Sequence, residues 1–116
     1  MTTNKRCTRY YSKKQETKVA KALGGKQTAN SGATMWSKGD VTLDNWLIEC
    51  KTCTEPRKSF TLKREWFDKN KEEAFAMRKD HSALVFDFGE GEQYYVIEES
   101  LFKKLLNYLE GENDNE

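Results

Sequence analysis

The segment from Lys38 to Thr52, KGDVTLDNWLIECKT, constrains this chain more than any other stretch. Two short runs of β-type residues, Val41–Leu43 and Trp46–Cys50, flank Asp44-Asn45, a pair suited to a tight hairpin turn. With a two-residue turn Leu43 faces Trp46, and the same register sets Asp40 opposite Glu49 and Lys38 opposite Lys51. Alternation along a strand then puts Asp40, Glu49 and Lys51 on one side of the sheet. Directly paired Cβ atoms lie about 5 Å apart. Two carboxylates that close repel each other and weaken the pairing unless a hard cation lies between them. The pattern therefore reads as a metal site with a lysine beside it. A longer turn would slip the register and carry Asp40 off the face of Glu49.

The arrangement resembles the PD-(D/E)xK nuclease superfamily, whose core hairpin carries an Asp on one strand and Glu-x-Lys on the next, here Asp40 and Glu49-Cys50-Lys51. Ser31-Gly32 upstream of the Asp, and Glu16 in a preceding helix, extend the resemblance to the archaeal-type Holliday junction resolvases. The resemblance implies a small mixed-sheet α/β domain of restriction-endonuclease-like fold. It implies a Mg²⁺-dependent DNA endonuclease, with Mn²⁺ able to substitute, that resolves branched DNA. Asp40, Glu49 and the backbone carbonyl of Cys50 would then bind the metal, and Mg²⁺ prefers such oxygen ligands. Glu16 would complete the metal cluster, and Lys51 would orient or deprotonate water. Ser31 and Gly32 would hold the scissile phosphate, while Lys26, Lys38, Arg6 and Arg9 would track the DNA backbone. A four-way junction has two symmetric strands to cut, so a resolvase is expected to be a homodimer.

At 116 residues the chain is expected to form one domain with a single core. Its net charge of +1 hides an asymmetry. Residues 1–70 hold 15 Lys/Arg against 7 Asp/Glu, whereas residues 71–116 hold 5 against 12. The basic part contains the hairpin, and phosphates are a natural partner for it, with a solvated basic face as the plainer alternative. Three cysteines, with neither an apolar leader nor a membrane-length apolar run, suggest a reduced cytoplasmic setting and no membrane.

Residues 1–11 read as a basic arm. Ser12 with Gln15 makes a capping-box start for a helix to about Leu23, halted by Gly24-Gly25, with Glu16, Val19, Ala20 and Leu23 on its inward stripe. Residues 24–37 form a loop of small and hydroxyl residues. Thr61 is a reasonable N-cap for a helix to about Lys79, whose Leu62, Trp66, Phe67, Ala74, Phe75 and Met77 suit core packing. Its length fits a crossover, so a strand at Ala83–Phe88 can lie parallel to that of Glu49. A further strand follows at Gln93–Ile97. Ser100–Leu109 reads as a last helix whose leucine stripe closes the core or pairs with a second copy. Residues 112–116 are expected to be a disordered acidic tail. The element order is α-β-β-α-β-β-α.

Cys50 and Cys53 spell Cys-x-x-Cys, but alternation turns Cys50 away from Glu49, and only Cys7 and His81 remain as further ligands. Zinc is not expected. His81, at the start of a strand, suits a capping or surface role. Two alternatives keep part of this picture: another nuclease of the same superfamily (nicking, restriction-like or repair), or a non-catalytic nucleic-acid-binding module.

Overall fold

The computed structural model describes the backbone of residues 5–28 and 40–114, with side chains for 11–28 and 40–111. Eight elements follow in order: α1 (Lys5–Leu23), β1 (Lys26–Gln27), β2 (Asp40–Thr42), β3 (Trp46–Lys51), α2 (Arg64–Ala76), β4 (His81–Asp87), β5 (Gln93–Val96) and α3 (Glu99–Asp114). The strands form one five-stranded sheet in sequence order. All neighbours are antiparallel except β3 and β4, which α2 joins as a parallel pair. The expected α/β class and the crossover are both present.

The hairpin register is the one a two-residue turn demands. Asp40 pairs with Glu49, Val41 with Ile48 and Thr42 with Leu47. Alternation then divides the sheet into two faces. On one, Val41, Ile48, Cys50, Ala83 and Val85 form a buried cluster with Val19 of α1. On the other, Leu47 and Leu84 are buried on the side where α2 contributes Asn70 and Ala74. The Asn70 amide donates to the Ala83 carbonyl at 3.0 Å, which ties α2 to β4.

Several boundaries differ from expectation. A two-residue strand, β1, precedes the hairpin and makes the order α-β-β-β-α-β-β-α. Helix α1 starts at Lys5 rather than Ser12, so helix occupies part of the expected basic arm. Leu23, placed on its inward stripe by periodicity, is 37% exposed at the helix end. Helix α2 starts at Arg64, with Lys63 as N-cap in extended backbone and no side-chain cap, so Thr61 does not serve as one. Phe75, expected in the core, is 84% exposed because it lies off the stripe of Asn70 and Ala74. Helix α3 runs through Gly111 to Asp114, into the expected tail. A glycine stops a helix by taking the left-handed conformation, as Gly24 does after α1 at φ 73°; Gly111 remains helical and costs only about 1 kcal/mol there. The leucine stripe of α3 does not close the core, for Phe102, Leu105, Leu106 and Leu109 are all exposed.

Residues 52–63 return along the sheet and meet the β4–β5 turn, where the Arg57 amide donates to the Phe88 carbonyl at 2.8 Å. Gly89 permits the approach. Its φ is +89°, and a Cβ there would meet the Glu55 carbonyl oxygen at 2.7 Å. Gly89→Ala is therefore expected to lower stability by about 2 kcal/mol, through strain and displacement of this connection. Urea midpoints of the two proteins measure it, and an unchanged midpoint would remove the close approach from the account.

Candidate metal centre

The hairpin brings Asp40 and Glu49 together at a particular kind of pair. The Leu43 amide donates to the Trp46 carbonyl at 3.0 Å, so the 43–46 and 41–48 pairs are the hydrogen-bonded ones. The 40–49 pair therefore falls at a non-hydrogen-bonded position, where facing side chains come closest. The backbone carbonyl of Asp40 instead accepts from the Thr28 amide of the neighbouring segment at 3.1 Å. Asp40 is thus fixed on both sides.

Its electrostatics are those of a carboxylate short of positive charge. Asp40 is 1% exposed, and its Oδ1 is buried with no hydrogen-bond partner among the described residues. Burial, then the charges of Glu49 and Glu73, push its pKa up to about 9, with Lys51 opposing. Glu73 lies within hydrogen-bond reach of it. Burial also raises the Glu49 carboxyl, which the Lys51 ammonium partly pulls back. The Lys51 Nζ sits 3.1 Å from Glu49 Oε2 and 4.3 Å from the centroid of the Trp66 ring. One side chain from the sheet and one from α2 therefore aim this ammonium along the acidic pair.

Among the described residues, no three His, Cys, Asp or Glu side chains form a ready-made metal cage. Mg²⁺ needs none, since it keeps several waters and takes one or two carboxylates. A buried Asp40 with an unpartnered oxygen, facing a half-buried Glu49, fits a hard cation. Comparison with protein-family models, curated proteins and solved structures finds no match for this chain.

That geometry gathers some of the expected residues and not others. Asp40, Glu49 and Lys51 share one face, as alternation required. Glu16 belongs to α1, whose Val19 packs on the Cys50 face of the sheet, and its charge helps to raise the Cys50 thiol pKa. Cys50 is buried in the α1-side cluster, where burial holds its thiol far above the usual range. Lys26 is exposed on β1. Ser31, Gly32 and Lys38 lie outside the described residues, as do the side chains of Arg6 and Arg9. Both Cys50 and Cys53 are free thiols, and the Cys53 thiol donates to the Asp87 carbonyl at 3.9 Å. His81 begins β4, its ring centroid 5.0 Å from that of Trp46.

Helix α2 adds three neighbours that the hairpin pattern does not predict: Trp66, Glu73 and Lys69, the last of which acts on the charge of Glu49. A signal for Glu73 exists. It falls three residues after Asn70, on the inward stripe that continues to Ala74, and an acidic residue on such a stripe needs a partner.

Proposed function

We propose that this protein is a metal-dependent DNA endonuclease acting on branched DNA. The observation that carries the proposal is the close 40–49 carboxylate pair with Lys51 two residues on, set in a hairpin that α2 joins to a parallel strand. Asp40 and Glu49 would hold Mg²⁺, with water completing its coordination, while Glu73 beside Asp40 adds negative charge that favours a bound cation. The Cys50 carbonyl as a further ligand follows from the superfamily resemblance. When bound, the cation neutralises charge on the phosphate oxygens and lowers the pKa of water.

The side chains supply the positioning. Hydrolysis requires water to attack phosphorus while the bond to the leaving 3′ oxygen breaks and that oxygen gains a proton. Lys51, held by Glu49 and the Trp66 ring, would orient the attacking water or offset charge developing on the phosphate. A junction presents two strands to cut, and a homodimer would supply two sites. The exposed stripe of α3 offers an apolar surface for such a pairing.

The deciding experiment incubates the protein with end-labelled four-way junction, flap and linear duplex DNA, with and without Mg²⁺. Cleavage of the branched substrates only when Mg²⁺ or Mn²⁺ is present is the expected result. Binding without cutting under every metal condition would instead favour a non-catalytic nucleic-acid-binding module.

A further inference from the structure

The α2 face of the sheet carries an aromatic layer beyond the metal centre. The register aligns Lys51 on β3, Phe86 on β4 and Tyr94 on β5 in one cross-strand row, two residues along from the row of Glu49 and Leu84. At about 3.3 Å per residue the two rows lie roughly 7 Å apart. Phe60 stacks on Phe86 with centroids 5.0 Å apart, and Phe86 stacks on Tyr94 at 5.7 Å. Phe88 meets both edge-on, and Trp66 lies 6.4 Å from Phe60. The rings form a continuous layer from Lys51 to β5. A core would bury such a layer, yet Phe60, Trp66, Phe86 and Phe88 are only half-buried and Tyr94 is 43% exposed.

Charge identifies the occupant. Phe60 sits within the run Arg-Lys-Ser-Phe-Thr-Leu-Lys-Arg, residues 57–64, whose four cationic residues are all exposed. The Lys63 Nζ lies 5.9 Å from the Trp66 centroid, and Arg64 is shared with Asp68 at 3.7 Å. At the opposite edge Glu92 accepts from the Tyr94 hydroxyl at 3.2 Å. An anionic backbone therefore belongs on the 57–64 side, with apolar planar groups laid on the rings.

We infer that this layer is a stacking platform for the unpaired bases of a single strand, whose phosphates lie along residues 57–64. Stacking on aromatic rings tolerates any sequence, because every base has a π-face. A duplex hides those faces in its own stack and cannot use the platform. As an assignment of substrate, the inference rests on the proposed nuclease: the row spacing places an unpaired strand beside Lys51 and the carboxylate pair. The site would then take DNA at a branch point, where bases are unpaired. Proline-rich peptides also dock on aromatic grooves, but they have no use for a cationic flank of this kind.

Fluorescence anisotropy tests this with a labelled oligothymidine of about 15 nucleotides, a duplex of equal length and a proline-rich peptide. EDTA is present throughout, so no cutting occurs. The single strand is expected to bind about tenfold tighter than the duplex. Phe60→Leu and Tyr94→Leu keep apolar volume but lose the ring face, and each should weaken binding about tenfold, while Phe60→Tyr restores it. Circular dichroism checks that the variants fold. Equal affinity for single strand and duplex, full-strength binding by both leucine variants, or binding of the peptide alone would overturn the platform. If the leucine variants bind normally while wild type cuts with Mg²⁺, the platform fails and the nuclease stands; selective single-strand binding without cutting has the reverse meaning.

Discussion

Asp40→Asn is expected to abolish Mg²⁺-dependent cleavage and, in the same protein, to raise the melting temperature of the metal-free fold at neutral pH. The two effects share a cause. Folding raises the Asp40 carboxyl from 3.8 to about 9, chiefly by burying it and then by setting Glu49 and Glu73 beside it. A group whose folded pKa is the higher one binds its proton more tightly in the native state. Below the unfolded value both states are protonated, and its contribution to stability is fully present. As pH rises past 3.8 the unfolded chain ionises first, so stability falls until pH passes about 9. At pH 7 the loss from a shift of this size is on the order of 4 kcal/mol. Asparagine keeps the shape without the titration, so the variant should melt several degrees above wild type at pH 7–8 and level with it near pH 4.

A divalent cation should reverse the order. It binds the ionised pair, so Mg²⁺ is expected to raise the wild-type melting temperature, increasingly as pH rises, and to do little for Asp40→Asn. Glu49→Gln should also lose cleavage, with a smaller gain in metal-free stability because Lys51 loses its 3.1 Å partner. Thermal melts in EDTA and in Mg²⁺ across this pH range carry the test. A wild-type melting temperature flat from pH 5 to 8 and indifferent to Mg²⁺ would remove Asp40 from any metal centre.

The part of this centre that was legible in sequence is the part set by strand alternation. Once Asp44-Asn45 is taken as a two-residue turn, period two dictates that Asp40 meets Glu49, that Lys51 shares their face and that Cys50 turns the other way. The structure has all three. Helical residues were harder, because a helix faces the sheet through a stripe whose phase depends on packing. Glu16 satisfied its own stripe, but α1 packs on the face of Val41 and Cys50, opposite Asp40. Nothing local to residues 12–23 specifies which face a helix will cover. The same ambiguity hid Glu73 and Trp66, since α2 could be assigned to the sheet from its length alone but not turned about its axis. Short strands are invisible for another reason. Lys26–Gln27 has no β-type composition, and β1 exists because its backbone completes the edge of β2. The aromatic layer was illegible for want of register: Phe86 and Tyr94 become neighbours only when β4 and β5 pair.

Lys51→Ala is expected to lower single-turnover cleavage by about 10² or more while changing DNA affinity little. Its placement argues for a role in the chemical step. The ammonium is held by Glu49 at 3.1 Å and by the Trp66 ring at 4.3 Å, and its side chain is 28% exposed. A lysine that merely tracks phosphates would gain nothing from such restraint and would serve as well on an exposed stem. The two roles leave different signatures. Loss of one phosphate contact among many weakens binding and reduces the salt slope by about one unit, with normal cutting once DNA is saturating. Loss of the positioning ammonium slows cutting at saturation and leaves the slope alone. Lys58→Ala, on the exposed run beside Phe60, should show the first pattern, and Lys51→Ala the second. Lys51→Arg separates charge from geometry, because a guanidinium keeps the cation but not its compact shape, and it should restore only part of the rate. Single-turnover rates at saturating protein, measured beside binding over a salt series, distinguish these outcomes. Should Lys51→Ala cut at the wild-type rate once saturated, Lys51 would leave the chemical step, and the hairpin would lose the feature that most resembles a nuclease.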